Sequence, residues 1–467
     1  MENNASFNFI DLQAALTNAE FVNFKSEWTS CGISTDSRTI SQNNIFVALK
    51  GDNFDGHDCI QDAFNAGAIA AIVSNEWFTS NNNNSIIFNN PFIVVNNTLD
   101  ALSELASFHR MKFNIPVIAV AGSNGKTSTK ELISHILSQK YNVLRTYKNF
   151  NNQIGVPMMM LCFDNKTEIA VIEIGTSLPG EIAKLSDLLK PGYGIITNIG
   201  KEHLEQLIDL DQVEIEETFL FGNLLKTGGV CFVNNDDDRL RKYTKILTKY
   251  VTYGTDGKNE CNYTANIIIN DNLTPTINFK IDNIEYTANM QELGYAIGIN
   301  SIAAIAVCAT LGLSGQEIVK GLETYSASGL KNGYARMDLQ QINQVKVLND
   351  CYNANPSSMM LSIKTLRSYK NAKKHIAILG DMFELGEVSH TEHVNILEHA
   401  CQILNEVLVI GNNMQKASEE INSDKVKHFS NFESLAKYIK TKTDLSDIIF
   451  LLKGSRGMKM ETVLSYL

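Results

Sequence analysis

VIAVAGSNGKTSTKEL, residues 117–132, decides the fold. Val117 to Gly122 is a short apolar run rich in β-branched side chains, as a strand buried on both faces of a parallel sheet reads. A glycine turn follows, Gly122-Ser123-Asn124-Gly125-Lys126-Thr127-Ser128. Beyond it Leu132, Ile133, Ile136 and Leu137 recur at helical spacing. Strand, glycine turn and helix form the layout of a phosphate-binding loop. The glycines let backbone N–H groups curl around phosphate oxygens, and the helix N-terminus adds the positive end of its dipole. Lys126 offers a point charge to β- and γ-phosphates, and the Thr127 hydroxyl offers a ligand to Mg²⁺. Val120 stands where the full GxxxxGK[ST] pattern has its first glycine, so the loop is a shortened variant. The bland alternative is a glycine-rich turn with an exposed lysine. The flanking strand and helix favour nucleotide binding.

Outward from this loop the same alternation continues. IAVIEIG (169–175) and YGIITNIG (193–200) read as further buried strands, so a doubly wound α/β sheet is expected. Glu173 lies near the carboxyl end of the first and His203 just past the second, where ligands collect in open α/β sheets. Mg²⁺ takes carboxylate oxygen readily and imidazole less often. A lone carboxylate in an apolar strand is costly to bury, which favours a metal role for Glu173 over a salt bridge. Upstream, IFVALKG (45–51) reads as a strand, and DCIQDAFNAGAIAAIVS (58–74) as helix, glycine stop and strand. The tract Asn81–Asn84 reads as a polar loop. The texture changes near Ile115-Pro116. After Gly254, NIIIN and INFKI suggest a small antiparallel excursion, and NSIAAIAVCATLG (300–312) returns to helix with Gly312 as its stop. From about Lys331, KVLNDC, HIAILGD, EVLVIG and IIFLLKG are four buried-strand candidates, separated by helices such as SSMMLSIKTLRSY. Three α/β domains are expected over 1–112, 113–330 and 331–467.

Composition narrows the function classes. The 467 residues are 44% hydrophobic and 19% charged, which argues against disorder and fibrous repeats. Forty Lys and Arg against 51 Asp and Glu leave a net charge of −11, wrong for a general nucleic-acid or anionic-membrane binder. No two of the eight cysteines lie closer than 28 positions, so no CxxC motif exists and the scattered thiols fit a reducing compartment. MENNASFNFIDLQAALTNAEF lacks an export signal's basic and apolar regions. No apolar run approaches the ~18 residues that a membrane span requires. The expectation is a soluble, cytoplasmic protein. HTEHVNILEH (390–399) superficially resembles a metal helix, but neither HExxH nor HxxEH is present; His390, His393 and His399 are expected on a partly solvated helix.

The motifs GSNGKTSTKEL, NFNNQIGVP (149–157), AVIEIG, ITNIGKEHLE, NDCYNANPSSM (349–359), LGDMFELGE (379–387) and LKGSRGMKM (452–460) together resemble the Mur ligase family, in family order along nearly the whole chain. YNANP and LGDMFELGE point within it to the member that joins D-alanyl-D-alanine to a UDP-N-acetylmuramoyl-tripeptide. The resemblance implies an N-terminal UDP-substrate domain, a central ATPase domain of the P-loop type and a C-terminal Rossmann-like domain. It implies ATP and Mg²⁺ as cofactors, the two small molecules as substrates, and a monomer. It also implies a reaction. The tripeptide carboxylate attacks the γ-phosphate of ATP, and the amine of the dipeptide attacks the resulting acyl phosphate. A carboxylate is a poor acyl donor, and phosphorylation supplies its leaving group. Alignment and charge neutralisation carry such a transfer, so Lys126, Glu173 and His203 are the implied catalytic apparatus.

Mapped by motif, STDSR (34–38) resembles the uridine-diphosphate region, with Ser37 and Arg38 as contacts, and ALKGDNFDGHD (48–58), with Lys50, resembles its adjoining part. The alternative there is a turn with solvated charges. Asn151 and Asn152 match a motif facing the muramoyl substrate, with turn chemistry as the competing reading. Asn300 matches an asparagine near adenine, although the family GxHNxxN reads GYAIGIN here, with Ala296 and Ile297 replacing His and Asn. Arg336 corresponds to an arginine that reaches ATP from the C-terminal domain, and Asp350 to an acid at the ribose. Asn353 and Asn355 border the implied dipeptide site. Lys453, Ser455 and Arg456 meet the dipeptide carboxylate in this mapping, against a solvated basic loop.

One departure stands out. Most Mur ligases carry a carbamylated lysine about fourteen positions after the metal histidine. Here that position is Glu217, and no lysine lies between Lys201 and Lys226. A glutamate retains a carboxylate on a shorter stem, so Glu217 is the expected replacement in a metal set of Thr127, Glu173, His203 and Glu217; Glu216 takes that place if the alignment slips by one. The family's glycine-rich stretch after HLE reads Gln206-Leu207-Ile208 here. The alternatives are another Mur-type or folylpolyglutamate synthetase-like amide ligase, or a nucleotide-binding homologue that has lost catalysis.

Overall fold

Buried apolar runs bounded by glycine turns, each followed by an amphipathic stretch, build a mixed α/β fold. The structure is a computed structural model that describes residues 3–25, 27–81, 89–326 and 337–467. Arg336, the expected domain start near Lys331 and most of the Asn81–Asn84 tract lie outside the described residues. The chain divides into two compact units. The first holds Met1–Ala119, Tyr141–Thr176 and Gly180–Tyr193; the second holds Val120–Lys140, Ser177–Pro179 and Gly194–Leu467.

The first unit contains a five-stranded sheet in the order Glu20–Val22, Phe92–Val95, Ala70–Ser74, Ile45–Val47, Ile33–Ser34. The last four strands run parallel and Glu20–Val22 is an antiparallel edge. IFVALKG is shorter as a strand than its sequence suggests. Pairing stops at Val47, and Lys50–Gly51 forms a small hairpin with Phe54–Asp55. Phe46, Ala71, Val73, Phe92 and Val94 share one buried cluster with Ile60 and Ala63 of the helix Ile60–Asn65. Gly67 ends that helical stretch at φ 109°, as expected for a glycine stop. The unit also carries Ile169–Glu173, paired in parallel with Val143–Arg145.

In the second unit Val230–Asn234, Tyr250–Thr255 and Tyr263–Ile269 run parallel. Pro275–Ile281 and Ile284–Asn289 then fold back antiparallel, which is the excursion foreseen from NIIIN and INFKI with one strand more. The helix Tyr295–Thr310 is almost wholly apolar and packs beside the helix Lys126–Leu137. YGIITNIG is strand only to Ile196. Its last four residues leave the sheet to clamp the phosphate loop, as described below.

The same unit carries a six-stranded sheet in the order Asp338–Ile342, Val345–Asn349, Ile448–Lys453, Lys374–Gly380, Glu406–Ile410, Val426–Phe429. All pairs but the first are parallel. Alternate strand residues face two cores. Leu348, Ala377, Leu379, Ile449 and Leu451 pack against Met359, Ile363 and Leu397, while Val347, Ile376, Ile378, Phe450 and Leu452 pack against Leu435 and Ile439. The last strand of the chain lies between two earlier ones, and the carboxyl ends of such neighbours are where α/β folds place ligands. Among the described residues no helix is long and apolar enough to cross a membrane.

Candidate active site

The phosphate loop is held from one side by the segment Thr197–Gly200. Gly122 turns at φ 111°, and a Cβ there would fall 2.4 Å from Thr197 Oγ1, so a larger residue is excluded by conformation and by space. Ser123 N–H donates to Asn198 O at 2.9 Å, and Ser123 Oγ accepts from Gly200 N–H at 2.8 Å. Asn124 N–H donates to Asn198 Oδ1 at 3.1 Å, while Thr197 Oγ1 and Asn198 Nδ2 donate to Asn124 O at 2.6 and 2.8 Å. Gly125 (φ 82°) caps the helix Lys126–Leu137 without a side-chain acceptor. Asn300 lies against it, with Oδ1 2.6 Å from where a Gly125 Cβ would sit. The buried residues of this helix include Leu132, Ile133, Ile136 and Leu137, as their spacing predicts.

Two carboxylates, one fully buried and one largely so, converge on the same loop. Glu217, from the helix Leu210–Thr227, is fully buried, and its Oε2 accepts the Gly122 N–H at 2.7 Å. Its Oε1 has no hydrogen-bond partner. Glu202 lies 3.6 Å from Lys126 Nζ, and its Oε1 likewise lacks a hydrogen bond. Burial pushes Glu202 up to about 8, opposed by Lys126 and reinforced by Glu217. Burial pushes Glu217 up to about 7, opposed by Lys126 and the Gly122 N–H and reinforced by Glu216. Lys126 Nζ itself folds back to Gly122 O at 2.5 Å and Ser123 O at 3.3 Å. Hard oxygens with unsatisfied lone pairs beside a phosphate loop fit Mg²⁺. Among the described residues no three His, Cys, Asp or Glu side chains form a ready-made cage. Mg²⁺ is commonly held by one or two carboxylates together with phosphates and water. Glu202 escapes sequence reasoning, since it stands between Lys201 and His203 as one charge among several in KEHLE.

His203 points its Nδ1 to Glu384 Oε2 at 2.6 Å. Glu216 is buried on the same helix as Glu217, but Glu217 is the one bonded to the loop. Asn355 caps the helix Pro356–Ser368 in a capping box with Ser358, and its Nδ2 donates to Asn124 Oδ1 at 2.7 Å. The asparagine signature thus touches the phosphate loop directly. Asp350 accepts from Lys453 Nζ at 2.7 Å and from Ser362 Oγ at 2.6 Å, and Lys453 also reaches the Asn353 carbonyl at 2.9 Å. Lys453 is buried, so it ties two strand ends together and is no part of a solvated loop. Ser455 Oγ accepts the Phe383 N–H at 2.8 Å, and Arg456 pairs with Glu461 at 2.7 Å. The helix Ser389–Ile403 is partly solvated, as expected; within it His393 lies on the buried face, where burial lowers its pKa. Its Nε2 accepts the Met382 N–H at 2.9 Å. His390 is half exposed, as expected, and pairs with Glu420.

The first unit assembles its own group. Glu173 N–H donates to Thr146 Oγ1 at 2.8 Å, and Asn151 Nδ2 donates to Glu173 Oε1 at 2.9 Å. Asn152 Oδ1 accepts from Ile154 and Gly155 N–H at 3.2 and 2.8 Å, which is turn chemistry. Arg38 is exposed and forms a two-pronged pair with Asp36, whose carboxyl it holds below the usual range. Ser37 opens the short turn Ser37–Thr39, and Lys50 is exposed in the hairpin.

Known proteins match this arrangement along most of the chain. Residues 30–110 match the Mur ligase family catalytic domain, 120–308 the Mur ligase middle domain, and 335–456 the Mur ligase glutamate ligase domain. The UDP-N-acetylmuramoyl-tripeptide–D-alanyl-D-alanine ligase of Bacillus subtilis (strain 168) is 35% identical over 438 residues, 92% of each chain. The enzyme of that name from Rickettsia prowazekii (strain Madrid E) is 30% identical over 93% of this chain and 94% of its own. The crystal structure of MurF from Acinetobacter baumannii superposes with a TM-score of 0.86 at 27% identity, covering 98% of both chains. MurF ligase from Thermotoga maritima in complex with ADP gives 0.79 at 26% identity, covering 93% of this chain and 96% of that one. Three family segments in order, with relatives spanning nine-tenths of the length, establish that the chain belongs to the Mur ligase family.

Proposed function

We propose that this chain joins D-alanyl-D-alanine to UDP-N-acetylmuramoyl-tripeptide, forming an amide while ATP becomes ADP and phosphate, in peptidoglycan precursor synthesis. The full-length likeness to the Bacillus subtilis ligase carries this reading. The lysine-tipped loop supplies the chemistry that the reaction needs.

Lys126 moves from the Gly122 carbonyl to the β- and γ-phosphates and neutralises charge as the phosphoryl group passes to the tripeptide carboxylate. The loop N–H groups and helix N-terminus align the triphosphate. Glu217, Glu202, Thr127 and His203 would hold Mg²⁺, and Glu173 keeps the metal role that the family resemblance implies for it; when bound, the ion would neutralise phosphate charge. Glu217, bonded to the loop, takes the place of the family's carbamylated lysine. Asn300 and Asp350 face adenine and ribose, and Arg336 reaches ATP. Asn353, Asn355, Lys453, Ser455 and Arg456 border the dipeptide, and Ser37, Arg38, Lys50, Asn151 and Asn152 border the UDP-muramoyl substrate. Asp350 and Lys453 act through one another, because their buried ion pair fixes the two strand ends. Residues 1–112, 113–330 and 331–467 serve as substrate, ATPase and ligase domains of a cytoplasmic monomer.

Phosphate release measured with each substrate alone and with both tests the assignment. Release is expected only when the tripeptide and D-alanyl-D-alanine are present together. Turnover of meso-diaminopimelate or lysine with the dipeptide precursor would overturn it. Tight Mg-ATP binding without turnover would mark a homologue that has lost catalysis.

A further inference from the structure

We propose that Glu384 is a positioning residue for the nucleotide site: it locks the His203 ring so that Nε2 alone faces the metal. This rests on the reading of His203 as a magnesium ligand given above. An imidazole has two nitrogens, and the hydrogen bond made by one decides what the other can do. His203 Nδ1 lies 2.6 Å from Glu384 Oε2, so Nδ1 is committed to that carboxylate and Nε2 is the ring nitrogen left to meet a metal. Metal-binding histidines almost always give their second N–H to such a partner, and losing it weakens metal binding roughly 10–100-fold.

The pair is built into the backbone as well. Leu204 N–H donates to Glu384 O at 2.9 Å, so the two segments meet through main chain and side chain. His203 and Glu384 sit at φ 51° and 61°, a left-handed conformation that residues with a side chain seldom adopt. Two such residues facing each other, neither in a regular turn of Gly or Asn, point to a geometry retained for use. The loop bearing Glu384 is pinned at each preceding residue. Met382 N–H donates to His393 Nε2 at 2.9 Å, and Phe383 N–H donates to Ser455 Oγ at 2.8 Å. Glu392, beside His393, grips Lys201 at 2.6 Å. The HTEH segment is therefore no metal helix. Its consecutive residues Glu392 and His393 hold the His203 segment and the Glu384 loop together, so the histidine is aimed by the part of the chain that also carries the asparagine signature.

Mn²⁺ bound to the full-length protein with a non-hydrolysable ATP analogue reads this geometry without turnover. The wild type is expected to show imidazole nitrogen coupling in the Mn²⁺ electron spin-echo spectrum. Glu384→Ala should weaken Mn²⁺ binding about 10-fold or more and reduce that coupling. Glu384→Gln, whose amide oxygen still accepts the Nδ1 proton, should restore both to within a few-fold. Glu384 is half exposed, so neither variant should shift the melting temperature appreciably. Equal Mn²⁺ affinity and coupling in wild type and Glu384→Ala would overturn the positioning role while leaving the ligase reading intact. A wild type that binds the analogue and Mn²⁺ but shows no nitrogen coupling would also overturn it. A wild type that binds neither would sink the ligase reading, and this proposal with it.

Discussion

Of the three buried glutamates on the helix Leu210–Thr227, Glu214 and Glu217 stand three positions apart, and the chain treats these two in opposite ways. Glu214 is met by Arg239 at 2.9 Å, Lys242 at 2.5 Å and the Tyr243 hydroxyl at 2.9 Å. Those partners outweigh its burial and hold its carboxyl below the ordinary range. Glu217 has one backbone donor and an orphaned oxygen, and burial raises it. A buried carboxylate with a full set of partners is scaffold. One left short beside a phosphate loop is a place reserved for a cation. The two residues share a helix, so propensity and packing do not explain the contrast. The surrounding donors do.

The largest expected effect lies on the functional side of that contrast. Lys126→Ala should lower turnover about 10³-fold, because charge on the transferring phosphoryl group goes unneutralised. Steady-state phosphate release measures it, and near-normal activity would remove Lys126 from the mechanism. Glu217→Gln should lower turnover about 10²-fold while keeping the bond from Gly122 N–H through its amide oxygen. The same variant should be at least as stable as the wild type without Mg²⁺, because a costly buried charge is gone. If Glu217→Gln unfolds as readily as a Glu214 variant, the two glutamates do not differ in kind.

Charge on the pair should also show in the pH dependence. Both folded values, about 8 for Glu202 and about 7 for Glu217, lie above the ordinary 4.5. The folded protein thus binds more protons than the unfolded chain between pH 4.5 and about 8. Without metal, stability should fall as pH rises through that window, by up to ~1.4 kcal/mol per unit for each carboxylate. Mg²⁺ binds the ionised forms, so the gap in melting temperature between Mg²⁺ and chelator should widen from pH 6 to 8.5. A gap independent of pH would show that neither carboxylate meets the ion. Glu214 gives the reverse sign: its stabilisation is present above the ordinary carboxylate range and lost as pH falls below it.

The scaffold side predicts a smaller loss. Glu214→Gln removes the carboxylate charge from Lys242 and from Arg239, which keeps Asp211 at 2.6 Å; the two cations are half and one-third exposed, so solvent screens the consequence. About 2 kcal/mol of stability should be lost in denaturant titration, with turnover reduced no more than a few-fold. A catalytic collapse without destabilisation would place Glu214 in the site.

Much of this was legible in the sequence because local pattern and tertiary role coincide. Val117–Ala121, the glycine turn and Leu132 to Leu137 mean the same thing in isolation and in the fold. Four buried runs in the last third became parallel strands for that reason. What stayed hidden depends on long-range partners. Thr197–Gly200 reads as strand because Ile-Thr-Asn-Ile-Gly continues an apolar run, yet its polar atoms are taken by the phosphate loop. Glu202 and Glu384 look like surface charges until the loop and His203 are set beside them. Lys453 reads as a substrate contact in a basic loop, and its ion pair stays hidden because Asp350 lies about a hundred positions away. Periodicity reports which face is buried, and it is silent on which donor meets which acceptor.

The smallest expected effect is also the sharpest test of Glu217. A lysine must be free to capture CO₂ as a carbamate, and activity that depends on such a group rises with added bicarbonate. Here the position fourteen beyond His203 is already a carboxylate, and residues 202–225 contain no lysine. Glu217 reaches the loop without a long stem because its helix packs close enough for Oε2 to meet Gly122 N–H at 2.7 Å. Bicarbonate should therefore leave turnover unchanged in the native enzyme. A Glu217→Lys variant should be nearly inactive, since a cation would face Lys126 across the phosphate loop, and bicarbonate should recover part of its activity by rebuilding a carboxylate there. Activation of the native enzyme would place a carbamate elsewhere, and would return Glu217 to the class of Glu214, a buried acid serving the fold.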